Sequence, residues 1–377
     1  MTTKKNQEEV DRRFMRRALA LAARGRGRTR PNPMVGAVVV GHGKIVGEGF
    51  HPEAGKPHAE VFALREAGAK ARGATMYVTL EPCSHTRKRT PPCAPALAQS
   101  GLRRVVVAME DPNPDVSGSG IALLRKKGIV VRVGVMEREA KKLNEAYAHF
   151  VTAVRPFVTL KLAATLDGRV AAPDGSSRWI SGERARTLVH RLRAEADAVL
   201  VGIGTVLADD PALTTRIKGK RDPLRIVLDG RLRVPLRSRL FHLDSNAPTV
   251  VAATSLASAR KIRRIESLGG KVWVLPGRGG KVELSALMKR LAEEKVTSLL
   301  VEGGSRISGA LLREGLVDRF LLFLSPKLMG GEDSRPLFSG KGARRLSEAI
   351  QLEDARVRRI GDDFLIEGVP RYPSSPR

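Results

Sequence analysis

The chain is poor in cysteine, because only two of its 377 residues are of this type. Cys83 and Cys93 both lie in one short stretch, and no third cysteine is present. A framework of several disulfides is therefore excluded, and with it the class of small secreted domains that depend on one. This cysteine usage suits a reducing compartment.

Long uncharged runs are also missing. No run reaches the roughly 20 apolar residues of a membrane-spanning helix. Charged residues between Lys4 and Arg17 occupy the place where a signal peptide would have its apolar core. We therefore expect a soluble cytoplasmic protein with no membrane partner.

Aromatic residues make up only 4% of the chain, which leaves few side chains that could stack on bases. The net charge of +28 would suit a nucleic-acid partner, but the basic excess is spread over both halves. Arg24, Arg26 and Arg28 form one basic cluster, and a loop beside a small phosphorylated substrate explains that cluster equally well. We expect no nucleic-acid partner and, for the chain itself, a homo-oligomer.

The chain is long enough for two domains, each with its own core. Strand and helix signals alternate in both halves, and the pattern resets around residues 147–156. This alternation predicts an α/β protein with mostly parallel sheets covered on both faces by helices. We predict one domain over residues 8–147 and a second over residues 156–369.

Local patterns predict the individual elements. In the first half they predict helices at 8–24, 58–71 and from about Cys93, and strands at 35–40, 76–80 and 104–109. In the second half they predict strands at 157–162, 198–203, 225–228, 249–253, 271–275, 298–301 and 319–324.

Metal-ligand residue types occur at the spacing of a catalytic zinc site. His58, Cys83 and Cys93 would hold Zn²⁺ and leave its fourth position for water, whose pKa the metal can lower to about 7. Glu60, two residues after His58, can transfer protons without being a ligand. Each of these residues alone is explained more simply by packing, but together they indicate a zinc-dependent deaminase.

The sequence around Cys83 supports the prediction of a zinc site. The apolar run at 76–80 ends before Pro82, which predicts that Cys83 lies where a strand gives way to a helix N-terminus. Backbone N–H groups at such a terminus favour the thiolate form of cysteine.

The second half contains two glycine-rich turns. The first, at 199–204, fails as a dinucleotide fingerprint because Leu207 stands where the third glycine of G-x-G-x-x-G belongs. The second, at 301–310, reads as strand, glycine turn and helix, so its helix N-terminus is a candidate phosphate site.

Ordered motifs across both halves give the chain a family resemblance. These are RPNPMVG at 30–36, HAE at 58–60, EPCSH at 81–85, TPPC at 90–93, KLAATLDGR at 161–169, ADDPAL at 208–213 and EGG at 302–304. The chain resembles the bifunctional riboflavin-biosynthesis proteins, which join a pyrimidine deaminase to a 5-amino-6-(5-phosphoribosylamino)uracil reductase. The resemblance covers about residues 13–369, and it implies a cytidine-deaminase-like domain followed by a dihydrofolate-reductase-like domain.

The resemblance also implies roles for individual residues. In the deaminase half it makes His58, Cys83 and Cys93 the zinc ligands, Glu60 the proton shuttle, and Asn32, His51, His85, Lys88 and Arg89 the substrate-binding residues. In the reductase half the NADPH-binding positions are Ala163, Trp179, Thr205, Asp209, Thr254, Gly304, Ser305, Arg306, Ile307, Ser308, Gly309 and Ala310. The substrate-binding positions there are Ser177, Arg193, Leu213, Arg216 and Glu302, with the two arginines suited to bind a ribose 5′-phosphate.

The implied reactions are consecutive. The first is a zinc-hydroxide deamination of 2,5-diamino-6-(5-phosphoribosylamino)pyrimidin-4(3H)-one. The second is an NADPH-dependent reduction of the ribosyl group of the product to ribityl. The small-molecule partner is thus a phosphorylated pyrimidine nucleotide.

One spacing departs from the family pattern. Cys83 and Cys93 differ by ten positions, one more than the family usually has, so the loop between them holds an extra residue. Whether Lys88 or Arg89 takes the basic, phosphate-facing position therefore stays open.

Two other functions also fit part of the sequence. A nucleic-acid base deaminase acting on tRNA would share the H-x-E motif, but that class has C-x-x-C in place of the long Cys83 to Cys93 spacing. A non-catalytic, zinc-stabilised nucleotide-binding module would have no use for Glu60.

Overall fold

The structure, a computed structural model, describes residues 4–84 and 91–373. The chain forms two compact units, Met1–Val154 and Arg155–Arg377. Each described unit contains a β-sheet with helices, so the α/β class predicted from the sequence is confirmed. Among the described residues no helix combines the length and the apolar character needed to cross a membrane.

The first unit contains helices and strands in alternation for most of its length. Its helices are α1 Lys4–Ala22, α2 Ala59–Ala67, α3 Cys93–Gln99, α4 Ser119–Lys126, α5 Glu137–Leu143 and α6 Glu145–Ala153. Its strands are β1 Gly36–Gly41, β2 Lys44–Phe50, β3 Thr75–Val78, β4 Arg104–Val107 and β5 Val130–Val133.

These strands form a sheet in the order β2-β1-β3-β4-β5. Only β3, β4 and β5 are parallel, whereas β1 is antiparallel to both of its neighbours. The prediction of a mostly parallel sheet is therefore wrong for this edge, where β1 and β2 form a hairpin. One face is covered by α1 through Phe14 and Met15, and the other by α2 through Ala59 and Ala63.

Two glycines let α2 lie directly on the hairpin. A Cβ atom at Gly47 would lie 2.2 Å from the carbonyl oxygen of Ala63, and one at Gly49 would lie 2.3 Å from that of Ala59. No side chain fits in that space, so the start of α2 is held against the backbone of β2. This contact fixes the segment that carries His58 and Glu60.

The second unit is larger. Its strands are β6 Phe157–Thr165, β7 Arg169–Ala171, β8 Ala198–Gly202, β9 Leu224–Leu228, β10 Thr249–Ala253, β11 Lys271–Val274, β12 Gly277–Arg278, β13 Lys281–Val282, β14 Ser298–Val301, β15 Arg319–Ser325, β16 Arg335–Pro336, β17 Gln351–Ile360 and β18 Asp363–Arg371. Its helices are α7 Glu183–Glu195, α8 Ile203–Asp209, α9 Ala259–Glu266, α10 Leu284–Glu293 and α11 Ser305–Arg313.

Most of these strands belong to one sheet in the order β11-β10-β9-β8-β14-β6-β15-β18-β17. In this order, the seven strands β11, β10, β9, β8, β14, β6 and β15 are parallel to one another. The last two strands, β18 and β17, form an antiparallel edge. Every residue of β8 and of β10 is buried, as expected for parallel strands covered on both faces. Ligand sites in such sheets lie at the carboxyl ends of the strands, where β8 and β14 are neighbours.

Candidate active sites

The three predicted zinc ligands converge in the first unit. The potential ligand atoms of His58, Cys83 and Cys93 all lie within 4.8 Å of one another. The His58 Nδ1 atom is 3.2 Å from the sulfur of Cys93 and 3.6 Å from that of Cys83. Residues 25 and 35 positions apart from the histidine are thus brought to one point, as the spacing predicted.

Glu60 lies next to this group and is buried. His58 occupies the position before α2, so Glu60 is the second residue of that helix. Its side-chain oxygen Oε2 is buried and has no hydrogen-bond partner among the described residues. Burial raises the pKa of the Glu60 carboxyl. An unsatisfied buried oxygen is costly, and a water molecule or substrate group beside it would supply the missing partner.

The predicted position of Cys83 is wrong in one respect. β3 ends at Val78 and α3 begins at Cys93, so the helix N-terminus belongs to the second cysteine rather than to the first. The backbone N–H of Cys93 nevertheless donates to the sulfur of Cys83 at 3.4 Å. The N-terminus of α3 therefore still provides the dipole that favours a thiolate at Cys83.

The chemistry of these groups fits a divalent zinc ion. A hydrogen bond with Cys83, together with burial, raises the pKa of the Cys93 thiol. The pKa values of the Cys93 thiol and the Glu60 carboxyl are both raised, and a cation between these groups would stabilise their anionic forms. One nitrogen and two sulfur ligands are a common zinc donor set that leaves a position for water.

Glu81 is a residue of this site that sequence analysis did not single out. Its carboxylate accepts hydrogen bonds from the backbone N–H groups of Asp111, Gly118, Gly120 and Ile121, at 2.8–3.2 Å. These contacts fix the end of the segment that leads to Cys83. An acidic residue directly after an apolar strand was the available sequence signal.

Asn32 and His51 form a hydrogen-bonded pair beside the predicted zinc ligands. The Nδ1 atom of His51 lies 3.1 Å from the carbonyl oxygen of Pro57, and its Nε2 atom lies 3.1 Å from the Asn32 amide nitrogen. A ring that donates from Nδ1 to Pro57 must accept at Nε2, so Asn32 donates there. The rings of His51 and His58 are 5.3 Å apart.

Three of the predicted substrate-binding residues of the deaminase, His85, Lys88 and Arg89, lie outside the described residues.

In the second unit, two helix N-termini meet at the carboxyl ends of neighbouring strands. α8 follows β8 at Gly202, and α11 follows β14 through Gly303 and Gly304. Among the residues that the structure describes, a Cβ atom at Gly304 would meet only the Thr205 hydroxyl, at 4.0 Å, so these residues leave the space before α11 open. Glycine backbone and helix N–H groups around such a space are suited to an anionic phosphate group. The predicted cofactor residues Thr205 and Gly304 are thus brought together.

The other predicted cofactor residues differ in exposure and in the hydrogen bonds that their side chains make. Trp179 is 60% exposed, and the Arg186 guanidinium lies 4.5 Å from its ring. Asp209 accepts a hydrogen bond from Ser177 at 3.3 Å. The side chains of Thr254, Ser305 and Ser308 are buried and donate to protein carbonyl groups, those of Gly230, Pro336 and Gly304 respectively. The remaining positions lie on β6 (Ala163) or on α11 (Arg306, Ile307, Gly309 and Ala310).

Arg193 and Glu302 form an ion pair whose side chains are only 13% and 10% exposed. The Nε and Nη2 atoms of Arg193 donate to the two carboxylate oxygens of Glu302, at 2.6 and 2.9 Å, and its Nη1 donates to the Thr214 carbonyl at 3.2 Å. Burial alone would raise the pKa of Glu302, but Arg193, Lys161 and His190 together lower it. The guanidinium of Arg193 therefore binds the carboxylate of Glu302.

Lys161 completes this cluster and was missed as an individual residue. Burial lowers the pKa of its ammonium group, which Glu302 counteracts and Arg193 reinforces. Its position in the middle of the apolar strand β6 was a sequence signal, since a lysine there must find a buried partner. Of the other predicted substrate residues, Arg216 is exposed and Leu213 is buried.

Comparison with known proteins assigns a domain family to each half of the chain. The family model described as "Cytidine and deoxycytidylate deaminase zinc-binding region" matches residues 8–109, and the one described as "RibD C-terminal domain" matches residues 156–366. The chain is 46% identical to the riboflavin biosynthesis protein RibD of Aquifex aeolicus, over 95% of this chain and 98% of that protein.

Two solved structures resemble the whole chain. RibD of Acinetobacter baumannii is 38% identical and matches with a TM-score of 0.86, over 97% of this chain and 99% of that one. A Thermotoga maritima protein, named as a diaminohydroxyphosphoribosylaminopyrimidine deaminase/5-amino-6-(5-phosphoribosylamino)uracil reductase, is 39% identical with a TM-score of 0.85, over 97% and 100% of the two chains. These relatives match both halves of the chain, and none of them is named as a tRNA deaminase. They therefore do not support the alternative of a tRNA deaminase with an accessory domain. The chain therefore belongs to the RibD family of riboflavin biosynthesis proteins, bifunctional enzymes in which a zinc-binding, cytidine-deaminase-like domain is followed by a reductase domain.

Proposed function

We propose that the first unit deaminates 2,5-diamino-6-(5-phosphoribosylamino)pyrimidin-4(3H)-one. The observation that carries this proposal is the convergence of His58, Cys83 and Cys93 beside Glu60, whose buried oxygen has no partner among the described residues. A zinc ion bound by these three ligands would supply an activated water at neutral pH. Glu60 would be the group that accepts a proton and later donates it to the amino group that leaves.

Asn32 and His51 are proposed to bind the pyrimidine ring. With its amide nitrogen donating to His51, Asn32 keeps its carbonyl oxygen for a ring N–H or amino group. Among residues 4–84 and 91–373, that oxygen accepts no hydrogen bond. His85, Lys88 and Arg89 are proposed to bind the rest of this substrate.

The second unit is proposed to reduce the deaminated nucleotide with NADPH. NADPH supplies the hydride that converts the ribosyl group to ribityl. The open space between Thr205 and Gly304, bounded by two helix N-termini, supports a pyrophosphate position there. Trp179 and Asp209 are proposed as further cofactor contacts, as are Ala163, Thr254 and the backbone of residues 304–310.

On the substrate side, Arg216 is proposed to bind the ribose 5′-phosphate, because its guanidinium is exposed and makes no ion pair among the described residues. Arg193 is proposed to hold Glu302 in place instead, since its fork is already engaged. Ser177 and Leu213 complete the proposed substrate site. The two activities are assigned to residues 8–147 and 156–369 of a cytoplasmic homo-oligomer.

The two arginines should respond differently to substitution. Arg193→Ala leaves the Glu302 carboxylate buried without its main partner, so we expect the second unit to lose about 3 kcal/mol of unfolding free energy. Arg216→Ala should leave stability unchanged and raise KM for the deaminated nucleotide about tenfold or more, because a charge-assisted phosphate contact is lost. Chemical denaturation and steady-state kinetics measure the two effects.

Arg221→Ala is the control, because Arg221 is an exposed arginine five positions after Arg216 with no ion pair among the described residues. If Arg193→Ala were as stable as wild type and raised KM as Arg216→Ala does, Arg193 would be a phosphate ligand and this assignment would be wrong.

The cofactor preference is expected to be strong. Arg231 is exposed just after the carboxyl end of β9 and makes no ion pair among the described residues, so it is available to pair with a 2′-phosphate. Arg233, two residues later, is also exposed and lies 3.7 Å from Asp229. At matched low concentrations NADPH should be oxidised at least about tenfold faster than NADH, as measured by the fall in absorbance of the nicotinamide. Equal rates would count against NADPH as the cofactor.

The proposed function is tested directly by an ammonia-release assay on two substrates. The zinc-loaded chain should release ammonia from the diaminopyrimidine nucleotide and none from tRNA. Release from tRNA alone would overturn the proposed substrate class.

A further inference from the structure

The carboxamide of Asn144 binds a backbone segment far away in the sequence. Its Oδ1 accepts a hydrogen bond from the N–H of Met34 at 2.8 Å, and its Nδ2 donates to the carbonyl of Met34 at 2.9 Å. Asn144 is only 2% exposed. One buried side chain therefore satisfies both backbone polar groups of a residue 110 positions earlier.

This contact replaces a local one. Asn144 stands at the N-cap position of α6, where asparagine usually bonds to the N–H groups of its own helix. Here the side chain makes no such capping bond. The carboxamide is thus committed to Met34, and the helix N-terminus does not share it.

The segment held by Asn144 has few other backbone hydrogen bonds. Pro31 and Pro33 have no backbone N–H, and β1 begins only at Gly36. Asn32, which lies between the two prolines, donates its N–H to the Thr29 carbonyl at 2.9 Å. Met34 has no other hydrogen bond among the described residues, and the next residue, Val35, accepts the backbone N–H of His51 at 2.9 Å. Asn144 therefore anchors this segment beside the point where its backbone contacts His51.

The same segment carries the side chain that contacts His51. Asn32, two residues before Met34, donates to His51 Nε2, and His51 donates to the Pro57 carbonyl. Pro57 immediately precedes His58. A continuous path of hydrogen bonds and short backbone links therefore connects Asn144, through Asn32 and His51, to the predicted zinc ligand.

We infer that Asn144 is a positioning residue of the deaminase, which holds the Asn32–His51 pair at the distance from His58 that pyrimidine binding requires. This inference rests on the proposed role of Asn32 and His51 in binding the ring. Asn144 touches neither substrate nor metal, and it acts through Asn32.

The test combines single and double variants in the full-length chain. Asn144→Ala should raise KM for the diaminopyrimidine nucleotide about tenfold, keep kcat within about twofold and retain one zinc per chain. Asn32→Ala should raise KM at least as much. Because Asn144 acts through Asn32, the double variant should have the KM of Asn32→Ala alone, and a separate structural role would instead give additive effects.

Two further variants keep the test decisive. Thr152→Ala changes an exposed residue of α6 that bonds only within its own helix, and it should behave as wild type. Asn144→Asp has the same shape and keeps the acceptor for the Met34 N–H while losing the donor to its carbonyl. Asn144→Asp should therefore also raise KM, which provides the measurement if Asn144→Ala does not fold.

The possible results distinguish the positioning role of Asn144 from the proposed binding of the pyrimidine ring by Asn32 and His51. An unchanged KM in a folded Asn144 variant, or additive effects in the double variant, would overturn the role of Asn144 while leaving the pyrimidine site intact. An unchanged KM in Asn32→Ala would overturn the pyrimidine site itself, and the positioning role with it.

Discussion

Replacing Glu60 by glutamine is expected to lower deaminase turnover by about a hundredfold or more, the scale of a lost general acid–base group. Glutamine has nearly the same shape, so the variant should fold and retain one zinc per chain. Its amide can neither take a proton from water nor donate one to the leaving amine. Ammonia release under saturating nucleotide, together with metal analysis of the same sample, measures both parts.

Two internal controls accompany this variant. Glu53→Gln changes an exposed carboxylate a few residues before His58 and should leave ammonia release unchanged. NADPH oxidation with the deaminated nucleotide should also be unchanged in Glu60→Gln, because the reductase lies in the other unit. Near-normal ammonia release from Glu60→Gln would remove this residue from the mechanism.

Replacing either cysteine by serine is expected to abolish zinc binding. Cys83 and Cys93 are both buried, and a neutral hydroxyl is a poor replacement for a thiolate ligand of zinc. After dialysis against a weak chelator, wild type should keep one zinc per chain and the variants almost none. Ammonia release should fall to background while NADPH oxidation with the deaminated nucleotide continues.

Ser119→Ala provides the matched control, since Ser119 contacts Ser84 near the site without being one of the predicted ligands. A full equivalent of tightly bound zinc in Cys83→Ser or Cys93→Ser would show that the ligand set is wrong.

Buried parallel strands were the part of the fold that sequence predicted best. β10 and β14 match their predicted bounds to the residue, because strands buried on both faces are continuous apolar runs. β2 was missed since its two glycines lower strand propensity, and they are required by the close approach of α2. The hairpin of β17 and β18 was missed because β17 is mostly exposed and has no apolar alternation.

The metal site was predictable for a different reason. Zinc ligands are limited to a few residue types, and His58, Cys83 and Cys93 stand in short motifs with a glutamate at a diagnostic position. The long-range pairs were not predictable from local patterns. Arg193 and Glu302 are 109 positions apart, and nothing near either residue indicates that the arginine fork is taken by a carboxylate.

The central claim is that one chain performs two reactions in order, deamination before reduction. The most direct measurement follows ammonia and NADPH together in one reaction that starts from the diaminopyrimidine nucleotide. We expect ammonia to be released fully without NADPH. When NADPH is present, its oxidation should lag behind ammonia release and reach one equivalent per ammonia. Oxidation of NADPH before or without ammonia release would contradict this order of reactions.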